Sequence, residues 1–94
     1  MADIHIVREH ALGLEAARKV ALMWAQQMES EYRVDCTYQE GHTRDLVTFV
    51  GTGAKGTLEV GSLDFELDVK LGFLLGNFKE KIEAVILKKL DSLV

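Results

Sequence analysis

The chain has 94 residues, a hydrophobic fraction of 48%, a charged fraction of 28% and a formal charge of −4. That length fits one domain, 1–94, and leaves no room for two separate cores. An acidic balance repels a phosphate backbone, which excludes nucleic acid as a natural partner, and the absence of proline and of low-complexity runs predicts order nearly end to end.

Ile4 and Ile6 alternate with Asp3 and His5, the pattern of a short strand. A long helix is predicted from about Leu14. Leu14, Ala17, Ala21, Trp24 and Met28 recur at three- and four-residue steps, with Glu15, Lys19, Gln26 and Glu29 on the other side. From Arg33 the period becomes two, Val34, Cys36 and Tyr38 alternating with Asp35, Thr37 and Gln39 before the polar turn at Gly41 to Arg44. Leu46 to Val50 and Thr57 to Val60 read as two further strands around Gly51-Thr52-Gly53. Leu63, Phe65, Leu67 and Val69 continue the alternation until Leu71 and Gly72, where a helical pattern takes over. At about 100° per residue, Leu71, Leu74, Leu75, Phe78, Ile82, Val85, Ile86 and Leu93 form one stripe suited to cover the sheet. Phe73 and Leu87 fall on the opposite side of that helix.

Placing the first strand antiparallel beside the last makes the first helix a right-handed crossover between parallel, non-adjacent strands. The predicted fold is therefore α+β: a two-layer domain with an antiparallel sheet of about five strands and two helices on one face. Its order is β-α-β-β-β-β-α, a layout like a reduced helix-grip domain.

The chemistry-bearing residues form no enzymatic pattern. His5 and His10 are five apart and leave a strand, a spacing unlike the helical pairs that hold a metal, so no metal site and no cofactor is assigned. Cys36 is the sole cysteine. It shares a strand face with Val34 and Tyr38, which suits a small core side chain better than a nucleophile. Asp64, Glu66 and Asp68 stand about 7 Å apart on one strand face, where water reaches all three and leaves no means of splitting their pKa values. Gly51-Thr52-Gly53-Ala54-Lys55-Gly56 has the glycines of a phosphate loop but leads into a strand rather than a helix, so it reads as a hairpin. Lys79, Lys81, Lys88 and Lys89 bias the last helix toward a basic amphipath, a pattern its own sheet-covering role also explains. No catalytic residue is assigned, and the chain is read as a non-enzyme.

The N-terminus lacks the apolar core of a signal peptide and no stretch approaches the ~20 apolar residues of a membrane span. With a single cysteine, the cytoplasm is the expected compartment.

Taken together, Met1-Ala2-Asp3-Ile4-His5-Ile6, Gly13-Leu14 with Ala17-Arg18, Cys36-Thr37-Tyr38, Gly56-Thr57-Leu58 and Leu67 through Leu75 resemble the polyhydroxyalkanoic acid system proteins. Phe78-Lys79, Ile82-Glu83 and Leu90-Asp91 extend the resemblance into the final helix. It implies a small bacterial protein associated with polyhydroxyalkanoate synthesis or its granules, and carries no catalytic residues with it. On that footing the expected role is an accessory that binds a granule surface, or a protein already on one, through Gly72, Phe73 and Leu87. A homodimer would hide Phe73 and Leu87 equally well. The alternative is a small carrier of a lipid or acyl ligand, with a cavity between sheet and last helix lined by Trp24, Phe49, Phe65 and Phe78.

Overall fold

The computed structural model describes residues 3–73 and 75–93. Met1, Ala2 and Leu74, named above, lie outside the described residues, as does the side chain of Leu93. The elements run β1 (Ile4–Glu9), α1 (Leu14–Tyr32), β2 (Asp35–Gln39), β3 (Asp45–Gly51), β4 (Ala54–Val60), β5 (Asp64–Leu71) and α2 (Lys79–Leu93), with a 3₁₀ turn at Gly76–Phe78 before α2. The sheet has five strands in the order β1-β5-β4-β3-β2, every neighbouring pair antiparallel. This is the predicted α+β class and element order.

Alternation decides which side chains meet the helices. Ile4 and Ile6 of β1, Val47 and Phe49 of β3, Leu58 and Val60 of β4, and Phe65, Leu67, Val69 and Leu71 of β5 are all buried. Ala17, Ala21, Trp24, Ala25 and Met28 of α1 pack against them. Three of those five are alanines, so α1 settles close to β2, β3 and β4.

Among the described residues one polar side chain is buried with them, Asp45 at 1% exposure. Arg18 of α1 grips it with two donors, Nε to Oδ2 at 2.6 Å and Nη2 to Oδ1 at 3.1 Å. The Tyr38 hydroxyl donates to Oδ2 at 2.6 Å and the Gly41 N–H to Oδ1 at 2.9 Å. Burial opposes ionisation of Asp45, but these hydrogen bonds and the Arg18 charge outweigh it and hold the carboxyl below its ordinary pKa. A buried charge satisfied this fully ties α1 to the β2–β3 hairpin.

The Gly51 to Gly56 segment is a hairpin. Thr52 and Gly53 form its tip, with Gly53 at φ +79°, a conformation glycine adopts without penalty. Strand β4 starts at Ala54, three residues before the alternation at Thr57 announced it.

The last helix differs most from expectation. The strand pattern persists through Leu71 and the chain then turns, Gly72 N–H donating to Gly53 O at 2.6 Å and Leu75 N–H to Gly72 O at 3.1 Å. Phe73 therefore lies in a turn and not on the back of a helix. Within α2 only Ile86 and Leu90 are fully buried among the described side chains and Ile82 is half-buried; Val85, and Phe78 in the turn before the helix, are exposed although both belong to the predicted stripe. Leu90 was outside that stripe. It is buried because the C-terminal half of α2 is drawn onto β1 and α1, where Arg8 Nε meets Asp91 Oδ1 at 2.6 Å and Lys89 Nζ meets Glu31 Oε2 at 2.9 Å.

Candidate functional site

The side chains of β4 that face the helices are Ala54, Gly56, Leu58 and Val60, small at one end and large at the other. At the large end the space under α1 is filled. At the small end Ala54 leaves a hollow over the sheet, and Phe49 covers Gly56 beside it. A Cβ on Gly56 would run into the Asp68 carbonyl and come 2.7 Å from Cζ of Phe49, so the Phe49 ring leans over the strand where a side chain would otherwise stand. Above this hollow passes the N-terminal half of α2.

The result is an open cleft of about 490 Å³ between the sheet, the C-terminal end of α1 and α2. Its floor is Phe49, Gly51, Ala54 and Val69. Met28 and Val34 close it on the α1 side, and Leu75, Ile82, Val85 and Ile86 form its roof. Thr52, Tyr32, Arg33 and Lys81 stand around it, and no acidic residue belongs to the described lining. A cleft of this volume with predominantly apolar walls falls in the range of about 300 to 1,000 Å³ that small-molecule sites occupy.

The residues proposed from sequence separate into three groups. Phe49 lines the cleft. Trp24 and Phe65 are buried in the filled part of the core at 1% and 0% exposure, Trp24 edge-on to Phe49 at 5.4 Å and Phe65 beside the His10 ring at 4.6 Å. Phe78 lies in the turn before α2, half-exposed and outside the described lining. Of the surface set, Gly72 is exposed, Phe73 is 97% exposed and Leu87 is 37% exposed. The cleft-lining aliphatic residues Ala54, Leu75, Ile82 and Val85 were missed as a group. The signal that could have found them is the pair of small residues at alternate positions of β4, which aromatic-seeking reasoning passes over.

Two other clusters are built by strand register. His5 pairs with Asp68 across β1 and β5, and its Nδ1 lies 2.5 Å from Asp68 Oδ1 and its Nε2 3.6 Å from Glu66 Oε2. The hydrogen bond to Asp68 raises the His5 pKa; desolvation opposes it and the charges of Asp68 and Glu66 add to it. Ligand atoms of His5, Glu66 and Asp68 lie within 4.8 Å of one another, but all three side chains are at least one-third exposed, so water competes for each. The cluster is an ion-paired patch on the open face of the sheet. His10 uses both nitrogens in fastening the β1–α1 loop, Nε2 with Gly61 O at 3.1 Å and Nδ1 accepting from Leu12 N–H.

Cys36 is half-buried, its thiol donating to Ala25 O at 3.8 Å. Burial, reinforced by the charges of Glu29 and Asp35, pushes that thiol up to about 11, so at neutral pH it is protonated and a poor nucleophile.

No described helix is long and apolar enough to cross a membrane. The family model of the polyhydroxyalkanoic acid system proteins matches residues 4–94. No curated protein and no solved structure matches the chain.

Proposed function

Because this chain belongs to the polyhydroxyalkanoic acid system family, we propose that it serves polyhydroxyalkanoate metabolism as a non-catalytic accessory that holds one aliphatic acyl chain in the cleft under α2. The cleft carries this reading. A saturated chain needs an unbroken apolar wall, and Phe49, Ala54, Val69, Ile82, Val85 and Ile86 supply one without a buried polar group that an alkyl chain would leave unpaired. Roof and floor also differ in firmness. The floor is a hydrogen-bonded sheet, whereas the N-terminal half of α2 has no buried side chain among those described before Ile86, so it can ride up as a chain enters. Among the described residues the protonated thiol of Cys36 and the ion-paired carboxylates of β5 supply no activated group, which supports binding rather than turnover.

The test is a titration with 1-decanol, followed by the emission of Trp24. It is the sole tryptophan and touches the cleft through Phe49. Saturable binding to the wild type, weakened at least tenfold by Ala54→Leu at unchanged folded fraction, supports the assignment. A wild-type protein that ignores decanol rejects it.

Exposure of Phe73 favours a second reading, attachment to the granule surface or to a protein on it, in the cytoplasm, through Gly72, Phe73 and Leu87. A phenylalanine buried on contact contributes roughly 1.5 to 3 kcal/mol, enough for weak adsorption. Co-sedimentation with polyhydroxyalkanoate granules and with liposomes, wild type against Phe73→Asp, separates it: selective granule binding lost in the variant supports attachment, and equal binding removes Phe73 from the surface. Sedimentation velocity on the same two proteins tests the competing homodimer.

A further inference from the structure

We infer that the cleft selects a chain ending in a negative head group, a single-chain carboxylate of the fatty-acid or hydroxy-acid type, whose carboxylate is met by Arg33 and Lys81 at the mouth. The inference rests on the cleft being an acyl-chain site and adds the chemistry of the ligand's end. The chain as a whole carries 15 acidic against 11 basic residues, yet the described lining holds two cations and no acid. Both cations are solvent-exposed while bordering an apolar interior, which puts their charged ends at the rim. Neither enters an ion pair among the described residues, whereas Arg8, Arg18, Arg44 and Lys89 each do. Their donors are available to a ligand.

Arg33 adds a second observation. It ends α1 with φ 55° and ψ 39°, the left-handed conformation in which helices normally place glycine, its N–H donating to Glu29 O at 3.1 Å. It is the one non-glycine residue with positive φ among those described. A side chain held there costs backbone energy that glycine would not, a cost that the arginine's charge at the negative end of α1 offsets in part. Its guanidinium fork matches a carboxylate in two parallel hydrogen bonds, and Lys81 across the mouth contributes a point charge. The polarity of the cleft then follows: head at Arg33 and Lys81, tail against Phe49, Ala54 and Val69.

The experiment titrates wild type, Arg33→Gly and Lys81→Gln with three probes of equal chain length, sodium decanoate, 1-decanol and decyltrimethylammonium, read by Trp24 emission and by calorimetry. Arg33→Gly removes the charge while giving φ 55° to the residue that best accepts it, so the fold is kept; Lys81→Gln repeats the test on an exposed helix position. Decanoate is expected to bind wild type roughly five- to tenfold more tightly than decanol, with decyltrimethylammonium weakest. Each variant should shrink the decanoate advantage by lowering decanoate affinity more than decanol affinity, and added salt should act as the variants do. Equal affinity for decanoate and decanol in wild type, or a preference that survives Arg33→Gly and Lys81→Gln, overturns the head-group assignment while the acyl cleft stands. Failure of all three probes to bind overturns both.

Discussion

The two helices lie on the same sheet face with similar amphipathic patterns and yet are held very differently. Helix α1 meets the sheet through Ala17, Ala21 and Ala25, whose short side chains bring the helix axis down, and Arg18 bolts it to the buried carboxylate of Asp45. Helix α2 meets its neighbours through Ile86 and Leu90 and is pinned at its C-terminal end by Arg8–Asp91 and Lys89–Glu31. Ahead of Ile86 only Ile82 packs on the core among the described residues, half-buried, and the 490 Å³ cleft opens beneath that stretch. Apolar periodicity tells which face turns inward. The size of the residues on that face and on the strand beneath tells whether the layers close.

The sharpest way to break the contrast is to cut the bolt under α1. Asp45→Ala strands Arg18 and the Tyr38 hydroxyl, and a loss of about 3 kcal/mol in urea unfolding is expected, the low end for a buried pair because Arg18 is partly exposed. The same carboxyl predicts acid sensitivity. Its folded pKa is depressed, so its stabilisation is present above the ordinary value of 3.8 and is lost as pH falls through the folded value; Asp45→Asn should flatten that limb of a pH–stability curve.

Matched enlargements sharpen the comparison of packing. Ala21→Leu overfills a closed interface and should cost about 2 kcal/mol. Ala54→Leu points into the cleft and should change stability by less than about 1 kcal/mol while blocking decanol. Equal costs at the two positions would mean that the cleft is closed in solution.

Native-state amide exchange reads the same difference without mutation. Residues 79–85, roofing the cleft with no fully buried side chain, should exchange by local opening at least roughly tenfold faster than the centre of α1, and decanoate should slow them. Matching protection in both helices would count against a movable roof.

The smallest effect is on the open sheet face. His5 has a raised pKa through its hydrogen bond with Asp68. Its pairing therefore supports the β1–β5 contact below its ordinary value of 6.5, and that support is lost as pH rises through the raised folded value. An NMR titration of His5 should give a midpoint above 6.5 in wild type and return toward it in Asp68→Asn.

Individual residues mark where sequence reasoning stopped. Sequence places Phe65 and Trp24 in a cavity because aromatic side chains line many ligand sites, but both are buried in the core and outside the described lining of the cleft. Helical spacing in the leucine-rich run after Gly72 predicts Phe73 on the back of a helix, whereas backbone hydrogen bonds from Gly72 and Leu75 turn the chain and delay α2 to Lys79. The polar clusters escaped notice for another reason. Arg18 and Asp45 are 27 residues apart and His5 and Asp68 63 apart, and no local pattern announces such partners.

Alternation of period two and recurrence of period 3.6 are written into neighbouring residues, so the sequence by itself determined the α+β class, the element order and which face of each strand is apolar. The antiparallel placement of β1 beside β5 followed from connection rules acting on those elements. Only the tertiary structure decided that Ala54 faces the loosely held half of α2 across a cleft, and that Arg33 and Lys81 both border that cleft. Whether a hollow remains between two layers depends on the summed volume of side chains brought together from distant parts of the chain, a quantity with no local signature.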